Sequence, residues 1–208
     1  MGVGPMVARA TGARDETLRR RVIGNALTGS TVVGVVVLGV GYFFADGIAA
    51  TLGLEGEIAE QAARYLRALA LVGLPLAIAP VVDGAFIAMG QTALPMGLQA
   101  LATALNIGLN VLFVRHFGFG IEGLAVASGV SRLVAVAVGL AFLLREVRPT
   151  IADMRPDGTL QRVLRVGWPA SANLASYALV YWALLRFAIS PLGPVVNAAL
   201  GIGFSALE

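Results

Sequence analysis

Cysteine and lysine are both absent from this 208-residue sequence, and histidine occurs once, at His116. Without thiols there is neither a disulfide framework nor a thiolate metal site, so no metal or cofactor is expected. One histidine, no cysteine and no Gly-x-Ser-x-Gly element leave no nucleophile and base for an intramembrane hydrolase, and no enzymatic activity is expected. The lack of lysine removes any phosphate-binding loop of the Gly-x-x-x-x-Gly-Lys type. Charge of either sign is scarce: charged residues make up 13% of the chain, against roughly 25% in soluble domains.

Apolar residues take the vacated share. They reach 58% of the chain, mean hydropathy is +0.84, and they come in long blocks divided by short charged stretches rather than mixed as in a globular core. The formal charge of +3 comes from 15 basic residues, all Arg, and gives a pI near 9.9. Those Arg cluster beside apolar blocks without an aromatic-interleaved basic surface, so the expected partner is the bilayer and not nucleic acid. No obligatory protein partner is evident.

A spanning helix needs about 20 mostly apolar residues to cross roughly 30 Å of hydrocarbon. Four segments meet this demand, at 22–44, 68–88, 94–114 and 124–144. A fifth, at 166–188, opens with Trp168-Pro169, where a proline in the first turn costs no hydrogen bond. Residues 1–9 are too short to cross and lack the charged leader of a signal peptide; they read as the tail of a span. Residues 189–208 carry Pro191 and Pro194 before an apolar run at 195–207, the start of a sixth. The expected fold is an all-α membrane protein, a polytopic helical bundle.

Topology follows the Arg near span ends. Segment 9–21 holds Arg9, Arg14, Arg19, Arg20 and Arg21, and segment 145–165 holds Arg145, Arg148, Arg155, Arg162 and Arg165. Both are expected on the cytoplasmic side of the inner (plasma) membrane, and the even number of spans between them agrees. The loop 45–61, with Asp46, Glu55, Glu57 and Glu60 and no Arg, falls outside. Arg64 and Arg67 run against the bias and are read as snorkelling to the interface.

Two ridges of small residues, Gly123, Ala127, Ser131, Ala135 and Gly139 in the fourth span and Ala26, Ser30 and Gly34 in the first, predict close helix contacts. The third span carries Gln99, Thr103, Asn106 and Asn110 at offsets of four, three and four, one narrow helical stripe. Such a stripe must face protein or water, because an unpartnered buried amide costs about 1–3 kcal/mol. It reads either as interhelical glue or as the lining of a substrate or ion path. Asp83, near the Arg-rich end of the second span, and Arg132, inside the fourth, are either structural charges or a charge-coupling pair. Asn173, Ser176 and Tyr177 share a face of the fifth span, with Tyr181, Trp182 and Arg186 toward the outer interface. His116 falls in a short outer loop.

The stretch Met89-Gly-Gln-Thr-Ala-Leu-Pro-Met96, then Asn106-Ile-Gly-Leu-Asn110, Phe117-Gly-Phe-Gly-Ile-Glu-Gly123 and Ala125-Val-Ala-Ser128, resembles the central part of the MATE (multidrug and toxic compound extrusion) transporters, of the MOP flippase superfamily. Gly2-Val-Gly-Pro-Met-Val-Ala-Arg9 and Arg165-Val-Gly-Trp-Pro169 resemble two further landmarks in the same order. The resemblance implies a register in a twelve-helix, two-lobe protein. Residues 1–144 would supply most of the N-terminal lobe (the end of helix 2 and helices 3–6), 145–165 the cytoplasmic link, and 166–208 helix 7 and the start of helix 8. It implies a secondary antiporter exporting amphipathic, often cationic, compounds in exchange for H+ or Na+. Asn106 would be a cavity residue, and Asn110 stands where one branch has a proton-coupling Asp; an amide does not titrate. Another branch has a Glu near the place of Tyr177. The cavity set expected on these grounds is Gln99, Thr103, Asn106, Asn110, Asn173 and Tyr177, with Asp83 and Arg132 for charge coupling. The alternative of the same superfamily, a lipid-linked oligosaccharide flippase, calls for more cationic residues than Arg132 alone, and a purely structural scaffold has no need of the amide stripe.

Overall fold

The structure is a computed structural model that describes residues 2–53, 56–71, 73–118, 121–189 and 196. Every regular element among them is helical. Helix α1 (Val3–Gly12) stops where Arg14 adopts φ +55°, which lets the Asp15 N–H reach back to Ala10 O at 2.9 Å. A left-handed residue here satisfies a carbonyl that the helix end leaves free. Asp15 then caps α2 (Glu16–Phe43), its Oδ1 accepting from the Leu18 N–H at 2.9 Å, and Glu16 occupies the first turn, where the helix dipole favours a carboxylate.

Helix α3 (Ala45–Thr51) and α4 (Gly56–Ala70) follow, and α4 continues into α5 (Gly73–Ala88) through a bend of 48°. Gly90, at φ +83°, ends α5, and the Gln91 N–H closes the turn on Phe86 O at 2.9 Å. Helix α6 (Ala93–Asn110) runs on through a π-helical turn at Val111–His116. Helix α7 (Ile121–Val147) precedes α8 (Gly158–Ala183), which also widens into a π-helical turn, at Leu184–Ile189.

Four stretches, Glu16–Phe43, Ala93–His116, Gly123–Val147 and Gly158–Ile189, are long and apolar enough to cross a bilayer, and the bent α4–α5 pair passes the same test when counted as one span. These are the five spans expected, with three corrections. The second span is a bent pair whose helix starts within the expected loop 45–61, which is itself largely helical. The fifth begins at Gly158, so Pro169 lies in the helix interior and not its first turn; Asp157 supplies the cap, accepting from the Thr159 N–H at 2.8 Å. Arg67 does not merely snorkel, since it pairs with Asp46 of α3. Of residues 1–9, positions 3–9 form helix, part of α1. The expected start of a further span at 195–207 lies outside the described residues, Val196 apart.

The main core sits at the Arg-rich end of the bundle, where Val7, Val22, Ile23, Val82, Phe86, Leu143 and Val147 are almost fully buried. Lipid is as apolar as these side chains, so close packing rather than escape from water holds them together. All five residues of the α7 ridge are buried. At Gly139 an added Cβ would lie 2.6 Å from Leu98 Cδ1 of α6 and 2.9 Å from Val82 Cγ1 of α5. At Gly34 of α2 it would lie 2.9 Å from Leu74 Cα, backbone of α5. The far half of α2 turns outward, with Val32, Val33, Val35, Val36, Val37 and Val40 each about half exposed, as a lipid-facing surface requires.

Candidate functional site

The polar stripe of α6 reaches α7 through Asn106. Asn106 Nδ2 donates to Ser128 Oγ at 3.0 Å, and Asn110 Nδ2 donates to Asn106 Oδ1 at 3.0 Å. This chain of amides ends on Asn110 Oδ1, a buried acceptor with no partner. One turn earlier, Thr103 Oγ1 donates to Gln99 O at 2.9 Å, and Ser131 Oγ donates to Ser128 O at 3.0 Å. Both hydroxyls are satisfied on their own helices, so the stripe is part glue and part lining.

The lining faces a cleft of about 360 Å³, with Gln99, Thr103 and Asn106 on α6, Ser128, Ser131 and Arg132 on α7, and Leu69 and Leu76 as an apolar wall from α4 and α5. A second void, of about 30 Å³, adjoins it and has room for about one water. Gln99, Ala102 and Arg132 line both, and Asp83 lines the smaller one. Asp83 and Arg132 thus face the same void, yet among the described residues they form no ion pair with each other.

Of the expected cavity residues, Gln99, Thr103 and Asn106 line the cleft, and Asn110 joins through Asn106. Asn173 and Tyr177 do not; they lie exposed on α8, Tyr177 by 71%, and line neither void. Sequence reasoning took Ser128 and Ser131 as landmark and ridge residues. The spacing Ser128, Ser131, Arg132 repeats the three-and-four pattern of the α6 stripe and would have marked a facing polar stripe.

A second polar cluster went unread. Asn25, fully buried in α2, donates from Nδ2 to Asp153 O at 3.0 Å and accepts at Oδ1 from the Asp157 N–H at 3.1 Å. Thr28 Oγ1 donates to Met154 O at 2.7 Å. These bonds hold segment 148–157 against the start of α2, which brings the two Arg-rich stretches to one end of the bundle. Within the segment, Asp153 Oδ2 accepts from both the N–H and the hydroxyl of Thr150, at 2.8 and 2.7 Å. Those bonds, with Arg21 and Arg20 nearby, hold its carboxyl below the ordinary value of 3.8. Bonds from Thr159, with Arg21 and Arg162 nearby, do the same for Asp157.

The chain is similar in sequence and in fold to known proteins. The chain is 27% identical over 217 residues to the probable multidrug resistance protein YoeA of Bacillus subtilis strain 168, covering 97% of this chain and 46% of that protein. It is 24% identical over 213 residues to the multidrug export protein MepA of Staphylococcus aureus strain MRSA252, covering 100% and 47%. The chain spans about half the length of these curated relatives. Among solved structures, it superposes on the inward-facing conformation of a multidrug resistance MATE family transporter of the MOP superfamily with a TM-score of 0.74 and 30% identity, over 82% of this chain and 40% of that one. A MOP superfamily transporter from Pyrococcus furiosus Vc1, described as having a binding pocket of reverse polarity, matches with a TM-score of 0.80 and 28% identity, over 88% and 42%. The sequence matches the MatE family over residues 1–112, more than half its length. With helices long and apolar enough to span a bilayer and this family match over more than half its length, this chain is a multi-pass membrane protein and belongs to the MatE family.

Proposed function

We propose that this chain forms part of a secondary active antiporter that exports amphipathic small molecules in exchange for H+ or Na+. The observation that carries the reading is the cleft itself. It is an apolar wall of Leu69 and Leu76 facing a strip of amides, hydroxyls and Arg132, within helices long enough to span a bilayer. An amphipathic molecule needs such a two-sided surface, and polar groups at membrane depth persist where they line a path. The names of the relatives, multidrug resistance and multidrug export proteins, agree in kind.

In this reading residues 1–144 belong to one lobe, 145–165 connect it to the next, and 166–208 begin that second lobe. Both Arg-rich segments face the cytoplasm of a cell whose inner membrane holds the protein. The stripe residues do not titrate, so H+ coupling falls to Asp83, the carboxylate lining the smaller void. Substituting Asn106→Leu in the full protein removes the donor to Ser128 and the acceptor of Asn110 together. Export of an amphipathic dye from cells should fall to background while the amount of membrane-inserted protein stays unchanged. Wild-type export by the Asn106→Leu variant would sink the assignment.

A further inference from the structure

We infer that Arg132 makes the cleft a recognition site for the carboxylate of an amphipathic substrate, so that the ligand class is anionic or zwitterionic rather than purely cationic. The inference rests on the reading of the cleft as a transport site and names what enters it. Family resemblance carries an expectation of cationic compounds, but the charge of this particular cleft is the reverse. Among the described residues lining the 360 Å³ cleft, Arg132 is the one that bears charge, and none is a carboxylate. Its other polar members, Gln99, Thr103, Asn106, Ser128 and Ser131, offer amide and hydroxyl groups. A cation entering would meet a fixed positive charge in a low-dielectric setting, where like charges repel far more strongly than in water. A carboxylate would meet a planar fork of donors that matches its two oxygens.

Depth sharpens the argument. Arg132 follows Gly123 by nine residues and precedes Val147 by fifteen, which at 1.5 Å per residue sets its Cα about 14 Å from one end of the span and about 22 Å from the other. A charge at that depth is costly unless water or a counter-ion reaches it. Among the described residues Arg132 has no ion-pair partner within 4.0 Å. Asp83 lines the same void of about 30 Å³ as Arg132 and Gln99. Asp83 makes no ion pair with the guanidinium, and a substrate carboxylate can offer that direct contact.

The test uses two probes with one fluorophore, dansylglycine, which carries a carboxylate, and dansylcadaverine, which carries an ammonium group. Both are titrated against the full protein in phosphatidylcholine nanodiscs. The wild type should bind dansylglycine the more tightly. Arg132→Gln should lower that preference by roughly tenfold or more, the loss expected for one charge-assisted hydrogen-bonded contact, and Arg132→Lys should keep most of it. Reading a ratio separates charge selection from damage to the cleft, since misfolding weakens both probes. A wild type that prefers dansylcadaverine or binds no dansylglycine overturns the inference without needing any variant. So does an unchanged ratio in Arg132→Gln, or a preference abolished by phosphatidylglycerol, which would give Arg132 to a lipid headgroup. Failure of the antiport reading looks different: carboxylate preference in binding, with no flux under any ion gradient.

Discussion

At the scale of single residues, the buried amide of Asn25 has the most exposed consequences. Replacing Asn25 with Leu strands the Asp153 carbonyl and the Asp157 N–H, and each unpartnered buried polar group costs about 1–3 kcal/mol. Segment 148–157 should loosen, seen as faster cleavage before Asp153 by endoproteinase Asp-N, with the spans intact. Gly24→Ala should act alike, because its Cβ would lie 2.6 Å from Asp153 O, a backbone atom with little freedom to move. The carboxyls of Asp153 and Asp157 are held below their ordinary 3.8 in the folded state. Their contribution is therefore fully present above that value and is lost as pH falls through the lowered ones. Protection of the Thr150 and Thr159 amides, measured relative to the intrinsic exchange rate at each pH, should hold from pH 8 to about 5 and fall only in stronger acid. Little of this cluster was legible in the sequence: Asn25 stands beside apolar neighbours with no periodic partner, and its ligands lie 128 and 132 residues away. By contrast, spacing on one helix exposed Gln99, Thr103, Asn106 and Asn110, because a stripe is a local property.

At the scale of helices, long apolar blocks reveal spans because the bilayer sets a minimum length, and the small-residue ridges reveal contacts because only small side chains allow backbones to approach. Both were readable. The 48° bend between α4 and α5 and the early start of α8 were not, since each depends on packing or capping that hydropathy does not register. The two ridge glycines should respond differently. Gly139→Ala meets the flexible ends of Leu98 and Val82, whereas Gly34→Ala meets the Leu74 backbone. Gly34→Ala should thus lower the unfolding midpoint in detergent by the larger amount, with an overpacking cost of about 1–3 kcal/mol. Equal shifts would mean that the α2–α5 contact yields as easily as the α7 one.

At the scale of the whole molecule, the absence of cysteine gives a clean test of topology. Single cysteines at Arg155 and at Glu57 lie at opposite ends of the bundle, and a membrane-impermeant maleimide added to intact cells should label the Glu57 site and spare the Arg155 site. The reverse pattern would invert the proposed orientation while leaving the bundle as described. Family membership and span count fix what kind of object this is, but activity depends on how the cleft between α6 and α7 is used. That is best measured by flux of an amphipathic dye in proteoliposomes containing the full protein, with a proton or sodium gradient imposed across them. Accumulation against the dye's own gradient, driven by one of the two ions and absent in Asn106→Leu, is the expected result. Flux indifferent to both gradients, or equal in wild type and Asn106→Leu, would contradict an antiporter working through this cleft.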